Sequence, residues 1–340
     1  MQNMSHFCDD CVLLPGEKIL HKFKAGEFPD KTFSKLYARW LHIVTLPGFV
    51  IEVHKKKIDT CYCITPEHDD FPVHTDTYCV MYDFRAQFET LEQWMGMKKV
   101  RPGPVFCNRK NLEPHIEKSL EKGYNFASDF LLIVSLATPG YPSILSTFSQ
   151  QSLFIEYSKN SDVAHGSEHA ELCIVQGDTP VRNDPGLPHH VLTAVAAATR
   201  TFTELIGENT TCEFLVLDNV LCLLAAQKSS IMRIPLSGCS PVDVKVVAPG
   251  SIQGTIKQVD KASLPDTVKT LSKTNQKHVF IAEKPYSEFA DILNYAEGFI
   301  FDKGSMLCHL AILLREMGIP ARIINDTTST YKDGDTISLE

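Results

Sequence analysis

No stretch of the sequence approaches the roughly 18 consecutive apolar residues that a membrane-crossing helix needs, so no helical span and no membrane partner are expected. The first residues, Met1 to Leu14, carry Asp9 and Asp10 and lack a basic flank followed by an apolar stretch. They do not have the form of a secretory signal, and the expected location is the cytoplasm. Like charges never form a long block: the nearest, His54-Lys55-Lys56-Lys57, is a small basic spot in a chain of net charge −8. A nucleic-acid partner needs a concentrated basic face, so none is expected. Internal repeats of fixed period and low-complexity tracts are also missing, which excludes solenoid arrays and long disordered regions. No G-x-x-x-x-G-K-[ST] loop occurs, which excludes the P-loop way of holding a nucleotide.

What is present is ordinary globular material. The chain has 340 residues, 44% hydrophobic and 22% charged, enough for two domains with real cores. Eleven cysteines are scattered, and Cys173, Cys212 and Cys222 sit inside apolar runs, where reduced thiols serve as small buried hydrophobes. Cys8-x-x-Cys11 and Cys61-x-Cys63, with His6, His68 or His74 nearby, have the donor types of a structural Zn²⁺ site. The C-x-C spacing is not the usual one, and reduced thiols are the default reading. His165-Gly166-Ser167-Glu168-His169-Ala170-Glu171 gathers two His and two Glu but is not H-E-x-x-H, and reads as a solvated loop. His189-His190 follows Pro188 and reads as a surface or capping pair near a helix start.

Pro235-Leu236-Ser237-Gly238-Cys239-Ser240-Pro241 has linker composition. The expected division is therefore 1–235, a linker at 236–244, and a compact α/β unit over 245–340. In the first part, Lys31 to Ile51 is expected to hold a helix and then a strand. Phe130 to Leu136 reads as a buried strand, Ser152 to Tyr157 as a half-buried one, and Leu187 to Ile206 as a helix closed by Gly207. Glu213–Leu217 and Val220–Ala225 flank the turn residues Asp218-Asn219 as a β-hairpin. In the second part, strands are expected at Thr255–Val259, His278–Ala282, Gly298–Phe301 and Ala321–Ile324. Helices are expected around Phe289–Ala296 and Met306–Met317, the latter stopped by Gly318 and Pro320, and a terminal hairpin turns at Asp333-Gly334.

The chemistry concentrates at a strand, the loop Asp302-Lys303-Gly304-Ser305, and His309 on the first turn of the next helix. A helix N-terminus leaves backbone N–H groups unpaired and carries partial positive charge. Small loop residues let those donors approach an anion, so Gly304 and Ser305 are the expected phosphate-binding residues. A neutral imidazole at His309 could attack phosphorus while nearby donors stabilise the transferring group. Arg315, six residues on, either neutralises phosphate charge, pairs with Glu316 or faces solvent. A His that merely caps or packs is the competing reading.

The stretch Gly298-Phe299-Ile300-Phe301-Asp302-Lys303-Gly304-Ser305-Met306-Leu307-Cys308-His309-Leu310-Ala311-Ile312-Leu313-Leu314-Arg315-Glu316-Met317-Gly318-Ile319-Pro320-Ala321 resembles the signature of PEP-utilising enzymes. That family includes pyruvate-phosphate dikinase, phosphoenolpyruvate synthase and rifampin phosphotransferase. The Cys308-His309 pair is similar to the phosphoenolpyruvate synthase version. Upstream, Ala248-Pro249-Gly250-Ser251-Ile252-Gln253-Gly254-Thr255-Ile256 resembles the family's entry strand, and Asp333-Gly334-Asp335-Thr336-Ile337 its closing turn. The resemblance implies a swivelling β/β/α phosphohistidine domain with His309, Cys308 and Arg315 in the catalytic set. The family's Thr falls on Phe301, and its Gly-Gly pair is Gly304-Ser305 here.

In that family an ATP-grasp domain phosphorylates the carrier. Glu213-Phe214-Leu215-Val216-Leu217-Asp218-Asn219-Val220-Leu221-Cys222-Leu223-Leu224-Ala225-Ala226-Gln227-Lys228 resembles its closing hairpin, with Glu213 on the metal-binding acid. The resemblance implies ATP and Mg²⁺ held through Glu213, on an α+β ATP-grasp-like lobe. The family's Gln, Arg and Pro fall on Ala225, Gln227 and Lys228, and its G-G-K-G motif has no counterpart. No PEP-binding barrel follows residue 340, which argues against self-contained PEP synthesis. The expected activity is phosphoryl transfer from a nucleotide through His309 to a small-molecule or protein acceptor. The alternatives are a degenerate paralogue used for binding or assembly, or a carrier served by a separate kinase subunit.

Overall fold

The computed structural model describes residues 11–65, 77–83, 105–126, 129–137, 140–149, 151–159, 170–217, 220–228 and 244–339. The expected linker at 236–244, the hairpin turn at 218–219, His6, Cys8, His68, His74 and the His165–His169 stretch lie outside these residues, Val244 excepted.

The chain opens with α1 (Gly16–Lys24), which follows Pro15, and α2 (Asp30–Ala38), which follows Pro29. Next come β1 (Val44–Thr45), β2 (Gly48–His54) and β3 (Lys57–Thr65). Lys55 and Lys56, both at positive φ, form the tight turn between β2 and β3, the backbone that best matches strand twist in a two-residue hairpin. The basic spot of the sequence is therefore a hairpin tip, anchored where Lys55 N donates to the Asp129 carboxylate at 3.0 Å. Then come β4 (Thr77–Asp83), β5 (Val105–Asn108), α3 (Leu112–Phe126) and β6 (Phe130–Leu136). The Asp83 carboxylate accepts from Thr32 N at 3.0 Å and Thr32 Oγ1 at 2.6 Å, satisfying a backbone donor that the first turn of α2 leaves open.

Strands β7 (Ser143–Ser149), β8 (Ser152–Ser158), β9 (Glu171–Gln176) and β10 (Thr179–Asn183) follow. Helix α4 (His189–Ile206) ends at Gly207, whose φ of +123° a side chain would resist. After it come β11 (Thr210–Leu217) and β12 (Val220–Lys228). The last stretch holds β13 (Val244–Ala248), β14 (Ile252–Gln258), α5 (Leu264–Thr274) and β15 (His278–Ala282), then a 3₁₀ helix (Ser287–Tyr295). It closes with β16 (Ala296–Phe301), α6 (His309–Glu316), β17 (Ala321–Ile324), α7 (Thr327–Thr330) and β18 (Thr336–Leu339). The class is mixed α/β.

Two compact units result. The first comprises residues 1–141 and 212–227, the second 142–211 and 228–340. In the first, β3-β2-β6-β4-β5 form an antiparallel sheet. One face packs on α3 through Phe49, Ile51, Tyr82, Ile116, Leu120 and Phe130. Strand β1 pairs in parallel with β12 in the same unit.

The second unit contains the antiparallel run β7-β8-β9-β10 and a six-stranded sheet of order β13-β17-β16-β15-β14-β18. The four central strands β14 to β17 are parallel, and the edge strands β13 and β18 antiparallel. Val279, Phe280 and Ile281 of β15 and Phe299, Ile300 and Phe301 of β16 are all buried. Consecutive burial means both faces are covered, the usual state of parallel strands. Loop 302–308 and α6 leave from the C-terminal end of β16, the edge of a parallel sheet where ligand sites recur.

The terminal segment differs from the hairpin expected: β18 pairs with β14, and α7 separates it from β17. The helix expected at 289–296 is the 3₁₀ helix, and the one expected from Met306 starts at His309. A further strand, β13, precedes the Pro249-Gly250 turn.

Candidate functional site

Gly304 opens the loop before α6 with φ +149°, and a Cβ there would lie 2.4 Å from Pro285 Cδ. Both the backbone conformation and the close approach require glycine. From Gly304 through Ala311 every residue is buried except His309, which is partly exposed. Cys308 is the N-cap residue of α6, and His309 is its first helical residue. The chain therefore places an imidazole at the surface end of a helix whose other early residues pack inward.

The donors of the loop converge on one carboxylate. Ser305 Oγ donates to Glu156 Oε2 at 2.5 Å, Met306 N to Oε1 at 2.7 Å and Leu307 N to Oε2 at 2.8 Å. Glu156 belongs to β8, opposite Leu145 of β7 and Leu172 of β9, and is fully buried. Successive backbone N–H groups closing on an anion form a nest, the arrangement that holds phosphate in many proteins. Ser305, Met306 and Leu307 thus form an anion cradle with Glu156 as its ligand in this structure, and Gly304 shapes the backbone just before it. Elsewhere in the second unit, Lys245 Nζ of β13 donates to Ala170 O, just before β9, at 2.8 Å. Burial lowers the Lys245 ammonium pKa, against the pull of Glu156 and other acids.

Arg315 neither faces solvent nor reaches into the open. It is buried, and its Nη1 donates to Met306 O at 2.7 Å and Val247 O at 3.0 Å. Burial lowers its pKa, while Cys308 and Glu156 act in the opposite direction. Its guanidinium therefore braces the loop from behind through Met306 O. Cys308 is fully buried, and burial pushes its thiol up to about 12. The sulfur is a protonated packing group at neutral pH. Phe301, where the family has Thr, is buried and stacks on Phe299 with centroids 5.6 Å apart. Asp302 accepts from Thr327 Oγ1 at 2.6 Å and Thr328 N at 2.9 Å, pinning α7 to the end of β16.

Glu213 lies on β11 in the first unit and is partly buried. Its charge acts on Lys35 of α2, a buried lysine whose pKa burial lowers. Among the described residues no group of three or more His, Cys, Asp or Glu is placed to hold a metal ion. One such carboxylate fits Mg²⁺ bound mainly by nucleotide phosphates and water, and makes no standing metal site. In the first unit Val12 N donates to Cys61 O at 2.8 Å and Cys63 N to Val12 O at 3.1 Å, which sets Cys11 beside β3, where Cys11 and Cys61 pack on the core.

Sequence reasoning did not single out Glu156. An acid in a strand read as alternating takes the solvent side. The signal was the unbroken apolar triplet Leu153-Phe154-Ile155, which marks a strand covered on both faces and leaves the next residue no solvent to reach.

These features define an α/β unit with an anion-holding loop between a parallel strand and the helix that His309 opens. Residues 274–340 match the family described as PEP-utilising enzyme, mobile domain, and the C-terminal region carries that domain. A phosphoenolpyruvate synthase from Synechocystis is 29% identical over 96 residues, covering 28% of this chain. The match spans 12% of that protein's length. Among solved structures, a D-alanine–D-alanine ligase from Bacillus anthracis complexed with ATP has 14% identity and a TM-score of 0.32, over 58% of this chain and 52% of its own. An L-amino acid ligase from Bacillus licheniformis has 12% identity and a TM-score of 0.32, over 73% and 64%. Scores this low leave the fold of the N-terminal region to be argued from its own sheets. No described helix is long and apolar enough to cross a membrane.

Proposed function

We propose that the chain is a phosphotransferase in which His309 carries the phosphoryl group. The observation that carries this reading is the partial exposure of His309 within an otherwise buried segment, at the first residue of α6. In the first step an imidazole nitrogen forms an N–P bond as the donor's P–O bond breaks, the electron pair leaving with the donor oxygen. In the second, an acceptor oxygen attacks phosphorus, the N–P bond breaks and the imidazole is regenerated. Loop N–H groups would stabilise charge on the phosphoryl oxygens as they develop it. ATP with Mg²⁺ is the proposed donor, Glu213 the proposed acid toward the metal, and a small molecule or protein the acceptor. Residues 1–235 would serve as a diverged nucleotide-binding lobe and 245–340 as the mobile carrier, Arg315 and Cys308 supporting the loop from within.

A second reading is favoured by two particular residues. Phe301 replaces a phosphate-contacting Thr with a buried ring, and Glu156 fills the cradle with a carboxylate. Both would suit a paralogue that keeps the domain for binding, or a carrier loaded by a separate kinase.

Labelling decides between them. The full chain is incubated with Mg²⁺ and ATP carrying label on the β- or γ-phosphate, beside His309→Ala. Acid-labile, alkali-stable label on the wild type and none on the variant is expected, and the labelled phosphate identifies the chemistry. Wild type that takes no label from ATP sinks the self-sufficient enzyme, and label from cell extract alone would then mark a carrier.

A further inference from the structure

We propose that Glu156 is an internal anion occupying the phosphate cradle beside His309, so that the cradle takes a phosphoryl group or a phosphate oxyanion only after Glu156 has left it. The inference rests on reading His309 as the phosphoryl carrier, and deepens that reading by naming what controls access to its site.

The Glu156 carboxylate meets three donors from three consecutive residues, Ser305 Oγ, Met306 N and Leu307 N, on its two oxygens. Ser305 Oγ also accepts from Leu307 N at 3.0 Å, so the hydroxyl is oriented to donate outward to the anion. Arg315 lies behind the loop, holding Met306 O at 2.7 Å and contributing positive charge toward Glu156. Two adjacent N–H groups, an oriented hydroxyl and a cation behind them would serve a tetrahedral oxyanion equally well. A carboxylate and a phosphate cannot share these donors at once, because they would compete for the same protons and repel each other. Glu156 is also fully buried on a strand from a different stretch of the chain. Its departure therefore requires β8 and the loop to separate. Glu156 is both the plug of the cradle and the latch between these two segments of the second unit.

The test measures binding of inorganic phosphate by calorimetry to the full-length wild type, Glu156→Ala, Glu156→Gln and Glu156→Ala/Ser305→Ala. Apparent affinity scales with the fraction of molecules whose cradle is open. Glu156→Ala should therefore bind phosphate tighter than wild type by on the order of tenfold or more. Removing the Ser305 hydroxyl as well takes away one cradle donor and should abolish most of the gain. If the alanine variant does not fold, the isosteric Glu156→Gln carries the test, because its uncharged amide sets an NH₂ group against a loop donor and loosens the plug. A folded variant that binds phosphate no better than wild type overturns the proposal and leaves Glu156 a structural staple. Histidine labelling from ATP on the same proteins keeps the two readings apart. A phosphate gain without label in any protein removes ATP-driven transfer and keeps the plug. Wild-type labelling equal to that of Glu156→Ala, with no phosphate gain, keeps transfer and removes the plug.

Discussion

At the scale of single residues, two buried cations behave differently. Arg315 is matched: its guanidinium bonds Met306 O and Val247 O and sits within the field of Glu156. Arg315→Met would leave two buried carbonyls, Met306 O and Val247 O, without their donor. Leaving a buried acceptor unsatisfied costs about 1–3 kcal/mol each, which chemical denaturation of the variant would read. Arg315→Lys keeps the charge but not the planar fork, and a loss of about 1–3 kcal/mol is expected. Equal stability of Arg315→Met and wild type would show that the loop does not depend on this brace.

Lys35 is the contrasting case. Burial lowers its pKa from 10.5, with Cys222, Cys79 and Glu213 pulling the other way. A lysine whose folded pKa lies below its unfolded one carries its penalty in full below the folded value. The penalty fades as pH rises from there toward 10.5. Lys35→Met should therefore stabilise the first unit at neutral pH by about 1–2 kcal/mol. The advantage should shrink as pH approaches 10, as thermal melts of both proteins across pH 7–10 would reveal. A variant that is less stable at pH 7 would mean that Lys35 earns its buried place through Glu213.

At the scale of elements, the legible part of the fold was the part written locally. Strand β15 is where its apolar run His278 to Ala282 puts it, and α4 stops at Gly207 because the next turn needs a positive φ. The hairpin strands β11 and β12 follow the two apolar runs around residues 218–219. What was not legible depends on distant partners. The sequence near Asp333-Gly334 marks a turn, but nothing local says that β18 crosses to β14, where Ile252 meets Leu339 and Thr255 meets Thr336. The late start of α6 is similar: Met306, Leu307 and Cys308 are apolar enough to continue a helix, yet Cys308 is the extended N-cap at ψ 163°, and the loop before it closes on Glu156 of a distant strand. His309 itself was legible because its neighbours are contiguous in sequence, whereas Glu156 comes from another strand. Gly304 tests whether the loop shape matters to the site. In Gly304→Ala the methyl would meet Pro285 at 2.4 Å in a backbone conformation alanine resists. A destabilisation of about 1–3 kcal/mol is expected, together with a fall in His309 labelling as the donors shift. Unchanged melting and labelling would mean that the loop deforms freely.

At the scale of the whole molecule, buried thiols set its tolerance of alkali. Cys79 and Cys222 lie in the first unit and Cys173 and Cys308 in the second. Burial is the largest influence on each, raising the thiols from 9.0 to about 11 for Cys79 and Cys173 and about 12 for Cys222 and Cys308. The sign follows from proton counts. Above pH 9 the unfolded thiols ionise while the folded ones keep their protons, so the unfolded state binds fewer protons and stability falls with rising pH. The loss begins near the unfolded value of 9.0 and levels off only at the folded values of about 11 and about 12. Each thiol contributes about 1.4 kcal/mol per pH unit across its window. Thermal melts from pH 8 to pH 11 should therefore show transitions that sag above pH 9 under reducing conditions. Cys222→Ala should flatten the sag of the first unit and Cys308→Ala that of the second. The informative quantity is the slope: each alanine leaves a small cavity and shifts the curve at every pH, but only loss of a proton-binding group changes how steeply it falls. A slope unchanged in both variants would mean that these thiols ionise within the folded protein near pH 9, and so that water reaches sulfur atoms which packing is here held to exclude.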